Sequence, residues 1–173
     1  TSAELYNAMD LPEQALEHVD HAFTLAINDM PVENRISLLG ARAKALLHMG
    51  RLPEAEKDLA GAEALAKHDG SAFTSMRLCT LRADLLLSTS RPDKAIAAID
   101  NIEAIASQHG NGYYTATSWM LRGQALMQLV EPFIGLGASL LQRLANPLAG
   151  GIEALIDQPR EVGHRVRVTR VDL

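Results

Sequence analysis

The chain has 173 residues, of which 47% are hydrophobic and only 4% aromatic, and its formal net charge at pH 7 is −5. Most of the hydrophobic residues are Ala and Leu, which are among the strongest helix formers, so the composition predicts an all-α protein. The acidic balance argues against a nucleic-acid groove, because phosphate binding needs neutralising Lys and Arg side chains. The one cysteine, Cys79, excludes an internal disulfide and fits a reducing compartment.

The first helices of the chain are predicted from their stop and start signals. Residues 2–9 are interpreted as the remnant of a leading helix, and a second helix opens at Asp10, a candidate N-cap, and runs to about Asn28. The turn Asn28-Asp29-Met30-Pro31 ends it. Because the sequence begins with Thr1 inside a repeat, we expect it to be a piece of a longer protein.

Two further helical hairpins and part of a fourth follow in the same pattern. A leading helix is predicted over about 33–48, with Gly50 as its C-cap, and its partner begins at Pro53. The next pair spans about 72–87 and 92–107. The last leading helix is predicted over about 113–129, followed by a turn and a weaker helix from Pro132.

A period of forty residues relates these hairpins. Small residues recur in two series, Ala3, Ala43, Ala83 and Gly123, and Ala15, Ala55, Ala95 and Gly135. Small side chains at fixed places are what two helices need at their closest approach, and a period of this length is typical of stacked helical hairpins. The predicted hairpins are 1–28, 33–67, 72–107 and 113–145.

The end of the chain breaks the pattern. Asn146-Pro147, Gly150-Gly151 and Gln158-Pro159 interrupt it within fourteen residues, which predicts an irregular tail over 146–173. Within this tail, residues 164–171 alternate polar and apolar side chains as an edge strand does.

The turn of the second hairpin carries a family resemblance. Ala43 stands seven places before Gly50-Arg51-Leu52-Pro53-Glu54-Ala55, which resembles the tetratricopeptide repeats of about forty residues found in MalT-like regulators of the LuxR class and related bacterial signalling proteins. Two departures are that Pro53 lies one place later than Pro12, Pro92 and Pro132 predict, and that most aromatic positions of the short repeat are Leu or Ala here. The resemblance covers residues 1–145.

What the resemblance implies is a right-handed α-α superhelix, a tetratricopeptide-like solenoid whose leading helices line a concave groove for a peptide, a protein segment or a small effector. The groove positions lie about 100° round each leading helix from the buried line. They are Ser37, Gly40, Lys44, Leu47, Arg77, Thr80, Asp84, Leu87, Thr117, Met120, Gln124 and Met127. Their mixed charge and two methionines favour an extended peptide over a phosphate-rich ligand.

Three other sets of residues have a functional and a structural interpretation. Arg42, Arg82 and Arg122 form a ladder that either grips an anion or pairs with neighbouring carboxylates such as Asp84 or Glu56. His18 and His21 lack a third metal ligand and are favoured as surface residues. Cys79 shares its place with Leu39 and Trp119, which favours a buried, inert thiol.

The sequence therefore predicts a non-catalytic binding scaffold without a cofactor or metal. We expect a protein-interaction or effector-sensing repeat domain of a cytoplasmic regulator, with a stand-alone adaptor or chaperone as the alternative. Neither a membrane span nor a signal peptide is visible. Nucleic acid and membranes are not expected as partners, whereas the open first repeat offers a surface for self-association.

Overall fold

A computed structural model describes residues 2–26, 30–69 and 71–156. These residues form seven helices: α1 (Ser2–Ala8), α2 (Pro12–Ala26), α3 (Val32–His48), α4 (Leu52–Asp69), α5 (Ala72–Ser88), α6 (Pro92–Gln108) and α7 (Gly112–Ile156). No strand occurs within the described residues, and the all-α prediction is confirmed. The first six helices begin and end close to the predicted places.

The turns inside the three hairpins share one backbone conformation. Asp10, Gly50 and Ser90, spaced by forty residues, all have positive φ, with values of 57°, 73° and 53°. After each, the next backbone N–H donates to a carbonyl five residues earlier, for example from Arg51 to Leu46 over 2.8 Å. This is the Schellman arrangement, which satisfies the last carbonyls of a helix. The predicted C-cap at Gly50 is confirmed, whereas Asp10 lies in the turn and not at an N-cap.

The fourth predicted hairpin is wrong, because α7 continues from Gly112 to Ile156 as one helix. The place equivalent to Gly50 in the fourth repeat is Val130. Valine is branched at Cβ, and this branching disfavours the left-handed conformation that the turn requires. The helix runs on through Pro132, which was expected to open a separate helix.

The predicted tail is corrected over residues 146–156, which are helical. Pro147 and the Gly150-Gly151 pair lower helix stability, but their backbones are compatible with helical φ angles, so they do not force the chain to leave the helix. The remaining tail, including the expected strand over 164–171, lies outside the described residues, as do Asn28 and Asp29.

Three apolar clusters form the core, and each joins helices of successive hairpins. The first contains residues of α1, α2 and α3, the second of α3, α4 and α5, and the third of α5, α6 and α7. The small residues Ala43 and Ala83 are buried in the second and third clusters, respectively, as the repeat predicts. Helices α3 and α5 thus each contribute to two clusters, one with the preceding hairpin and one with their own.

Contacts divide the chain between Glu131 and Pro132. The three clusters and every cavity considered below belong to the first unit, 1–131. In the second unit, the described large apolar side chains, such as Phe133 and Leu136, are exposed.

Candidate functional site

Two cavities on the leading helices form the candidate site. The first has a volume of about 330 Å³ and is lined by residues of α1, α3, α5 and the beginning of α7. The second, of about 400 Å³, is lined by α3, α5 and α7, and the two share Asp84. The residues that line them therefore come from every second helix, the set that the repeat designates as leading helices.

Nine of the twelve predicted groove residues line these cavities. Gly40, Lys44, Arg77, Thr80, Asp84 and Thr117 line the first, and Leu47, Leu87 and Gln124 join Asp84 around the second. Ser37 lies beside the first cavity, where its hydroxyl accepts a hydrogen bond from Arg77 over 3.0 Å. Met120 and Met127 are exposed and line neither cavity. Their role in partner binding stays a prediction.

Asn7 is the most informative residue that sequence reasoning missed. It lines the first cavity with 4% of its surface exposed, and its amide nitrogen donates to the backbone oxygen of Ala41 over 2.8 Å. Its side-chain oxygen has no hydrogen-bond partner in the described structure. The forty-residue register offers the signal, since Asn7 is equivalent to Leu47, Leu87 and Met127, but the short first helix was left out of the predicted groove.

An unpartnered buried acceptor is unfavourable, by about 1–3 kcal/mol for a neutral group. A donor from a ligand would recover that free energy, because it would restore the hydrogen bond that Asn7 lost when it was removed from water. Asn7 thus lies beside the first cavity with an acceptor oxygen that is enclosed and unpaired.

Charges of both signs surround the cavities. Arg77 on α5 forms an ion pair with Glu4 on α1, across two hairpins. Burial raises the pKa of the Asp84 carboxyl group, and the positive charges of Lys44 and His48 oppose that shift. By the forty-residue register, Glu4, Lys44 and Asp84 are equivalent, so the sign of the charge alternates along the leading helices.

Aromatic rings border the first cavity on one side. The rings of Phe73 and Tyr114 meet edge to face with centroids 5.7 Å apart, and Tyr113 meets Tyr114 in the same way at 5.1 Å. Tyr114 is buried and its burial raises the pKa of its hydroxyl, whereas Phe73 and Tyr113 are exposed. The exposed rings offer flat apolar surface beside the polar groups.

The arginine ladder is paired with carboxylates. Arg42 donates to Asp58 at 2.6 Å and to Asp20 at 3.3 Å. Arg82 pairs with Glu63 and Glu56, and Arg122 pairs with Glu103 and Asp100. Glu56 is thus one of the predicted carboxylate partners, whereas Asp84 lines the cavities instead. These ion pairs use donors that a bound anion would need.

The remaining candidates have structural surroundings. Cys79 is half-buried against the third cluster, and burial raises the pKa of its thiol, which leaves little reactive thiolate at neutral pH. His18 stacks on Tyr6 with ring centroids 4.8 Å apart. In the described part of the chain, no group of three or more His, Cys, Asp or Glu residues is placed to hold a metal ion.

Comparison with protein-family models, curated proteins and solved structures finds no match to this chain. Among the described residues, the stretch Gly112–Gln142 of α7 is long and apolar enough to cross a membrane, judged by length and composition alone. The fold and the site therefore define an all-α protein built of successive helical hairpins, with two cavities lined by alternate helices.

Proposed function

We propose that this chain is a binding module whose leading helices hold an extended segment of a partner protein, within a tetratricopeptide-like superhelix of a cytoplasmic regulator. The observation that carries the proposal is the pair of cavities lined by nine residues chosen from the repeat alone. A groove made by successive repeats suits a long, thin ligand, because each repeat adds one set of contacts along its length.

Asn7 supports a peptide as the occupant. An extended peptide carries a backbone N–H on every residue except Pro, and such a donor would pair the oxygen of Asn7 once the side chains that enclose this atom move aside. The exposed rings of Phe73 and Tyr113 border the same cavity and suit an apolar side chain of the ligand. A polar anchor beside apolar contacts is the usual composition of a ligand site.

The charge pattern disfavours a phosphate-rich ligand. Asp84 and Glu4 line the first cavity together with Lys44 and Arg77, and Arg77 is paired with Glu4. Carboxylates at these places repel a polyanion, whereas a peptide with charges of both signs is able to match them. We therefore assign the groove to a peptide of mixed charge.

The test is selection of binding peptides from a phage-displayed random library on the immobilised chain, followed by affinity measurements on variants. Lys44→Glu reverses a charge at the groove and is expected to weaken binding of the selected peptides about tenfold or more. Lys94→Glu on the exposed side of α6 makes the same change in net charge and serves as the control.

Asn7→Leu removes the acceptor oxygen at similar size and is expected to weaken the same peptides. Circular dichroism establishes that each variant is folded. Unchanged affinity for both Lys44→Glu and Asn7→Leu, or equal loss with Lys94→Glu, would place peptide binding outside the groove.

A further inference from the structure

The Asp84 carboxylate differs from the other carboxylates that this chain removes from water. Within the described side chains, every other Asp or Glu that is partly or fully buried forms an ion pair with an arginine. These pairs are Glu4 with Arg77, Glu56 with Arg82, Asp58 with Arg42, Glu63 with Arg82 and Glu103 with Arg122. Asp84 is half-buried, yet its oxygens have no hydrogen bond or ion pair to any described residue. A carboxylate of this kind is satisfied by a cation or an N–H donor from outside the chain.

The second cavity offers access to Asp84 on a side without fixed positive charge. Lys44 and Arg77 line the first cavity, whereas none of the described residues around the second is a lysine or an arginine. His48 lines the second cavity, and its Nδ1 atom lies 3.5 Å from the exposed carboxylate of Asp10. The second cavity is therefore the more favourable place for a cation beside Asp84.

Gln128 adds another unpaired acceptor to the second cavity. Its side-chain nitrogen donates to the backbone oxygen of Leu87 over 3.2 Å, which leaves its side-chain oxygen as the acceptor. This oxygen is enclosed and has no hydrogen-bond partner in the described structure. A donor that enters the cavity would reach it once the side chains that enclose it move aside. The groups without partners around this cavity thus call for donors.

The walls of the second cavity suit a side chain with an apolar stem. Leu47 and Leu87 line it together with the polar groups, and Leu87 is buried. Its volume of about 400 Å³ falls in the usual range for ligand cavities. A long basic side chain packs its methylene groups on such leucines and carries its charge to a polar group beyond them.

We propose that the second cavity binds an arginine side chain of the partner peptide, with its guanidinium paired to Asp84. This assignment rests on the proposed peptide groove and names a residue that the groove selects. A guanidinium has five N–H donors and no acceptor, which matches the unpaired acceptors of the cavity. Its planar fork also makes two parallel hydrogen bonds to a carboxylate. Arg42 shows this arrangement inside the chain, where it donates to both oxygens of Asp58 over 2.6 and 2.8 Å.

Arginine fits this cavity better than lysine for two physical reasons. The guanidinium is more weakly hydrated than an ammonium group, so it loses less when it enters a half-buried place. Its donors also point in several fixed directions, which allows one group to reach Asp84 and the oxygen of Gln128 together.

Peptide selection on two forms of the protein tests the assignment. A phage-displayed random library is selected in parallel on the unchanged chain and on Asp84→Asn, which removes the charge and keeps the shape. Peptides selected on the unchanged chain are expected to share an arginine at one position, and those selected on Asp84→Asn are expected not to. Asp93→Asn makes the same change at an exposed residue of α6 outside both cavities, and it is expected to select the arginine again.

Synthetic peptides then measure the contribution of the charge. Replacing the shared arginine by citrulline, which has nearly the same shape but no charge, is expected to weaken binding to the unchanged chain about tenfold or more. On Asp84→Asn the same replacement should change the affinity less than about threefold, because the partner of the charge is gone. Circular dichroism establishes that the variant is folded. The citrulline peptide leaves the protein unchanged, so its result does not depend on the stability of a variant.

A small probe separates the arginine site from the peptide groove. Acetyl-arginine methylamide is titrated into the ¹⁵N-labelled chain, and the amide signals of Asp84, Leu87 and Gln128 are expected to shift. The citrulline derivative should leave them in place, and equal shifts with both compounds would show that the cavity does not recognise the guanidinium charge.

The arginine site and the groove fail through different results. Selected peptides that need Lys44 and Asn7, but share no arginine or bind Asp84→Asn as tightly as the unchanged chain, would overturn the arginine site and leave the groove standing. Shifts caused by acetyl-arginine methylamide, with no selected peptide weakened by Lys44→Glu or Asn7→Leu, would overturn the groove and with it the peptide as the source of the guanidinium.

Discussion

Asp84 is half-buried where the two cavities meet, and its burial raises the pKa of its carboxyl group. A raised pKa in the folded state means that the native protein binds this proton more tightly than the unfolded chain does. Protonation of Asp84 therefore stabilises the protein at low pH, and this contribution is lost as the pH rises through the folded-state pKa. Burial thus disfavours the charged form of this carboxyl group.

We expect Asp84→Asn to raise the Tm at pH 7, because the amide is neutral and has nearly the same shape. The gain should shrink as the pH falls through the folded-state pKa and vanish below about pH 4, the ordinary carboxyl range. Thermal unfolding followed by circular dichroism between these pH values measures it. A lower Tm at pH 7 would mean that the attraction of Lys44 and His48 outweighs burial.

Each of the first three hairpins turns at a residue with positive φ, and the fourth does not turn. Asp10, Gly50 and Ser90 adopt that conformation at equivalent places, whereas Val130 remains helical. The difference leaves Gly123 without the neighbouring helix that packs on its counterpart Ala83. The same position of the repeat is therefore fully buried as Ala83 in the third repeat and open as Gly123 in the fourth.

The pair Ala83 and Gly123 supports a matched prediction on packing. Ala83→Leu should destabilise the protein by about 1–3 kcal/mol, because the larger side chain overpacks a residue with no exposed surface. Gly123→Ala should instead stabilise it by about 0.5–1 kcal/mol, since alanine favours the helix and meets nothing there. Urea unfolding at a concentration that keeps the chain monomeric gives both values. An unchanged midpoint for Ala83→Leu would show that α5 and α6 do not meet closely at this residue.

Across the first unit, one kind of ion pair links successive helices. Arg42 joins α3 to Asp20 on α2 and Asp58 on α4, Arg82 joins α5 to α4, and Arg122 joins α7 to α6. Arg82 and Arg122 each pair with a glutamate nineteen residues earlier in the chain, Glu63 and Glu103, respectively. Nineteen residues before Arg42 stands Phe23, and the centroid of its ring lies 4.9 Å from the guanidinium of Arg42.

The free energy of these linkages should depend on burial. The Asp58 side chain is 7% exposed, so Arg42→Met leaves a buried carboxylate unpaired and should cost about 3 kcal/mol. Asp100 and Glu103 are 60% and 32% exposed, and Arg122→Met should cost less than about 1 kcal/mol. Methionine keeps most of the apolar stem in both variants, and urea unfolding compares them. Equal costs would show that the burial of Asp58 does not decide the strength of the pair.

The sequence by itself determined the all-α class, the first three hairpins and nine of the residues that line the cavities. Helix propensity, capping and apolar periodicity act over a few residues, and the forty-residue register carries them from one hairpin to the next. Gly50 and Ala83 were assigned correctly for this reason. A positive φ favours glycine and a close approach of two helices requires a small side chain, and both residue types can be recognised from the sequence.

Only the tertiary structure decided what lies between helices. The hydrogen bond from the amide nitrogen of Asn7 to Ala41 joins residues 34 places apart, and the ion pair of Arg42 with Asp58 joins residues 16 places apart. No local pattern encodes those distances. At the fourth turn two local costs compete, a left-handed Val130 at about 1–2 kcal/mol and a Pro132 inside a helix at about 3 kcal/mol. The helix continues through Pro132 although these local costs by themselves do not favour it, so the sequence at the turn is not enough to predict the end of α7.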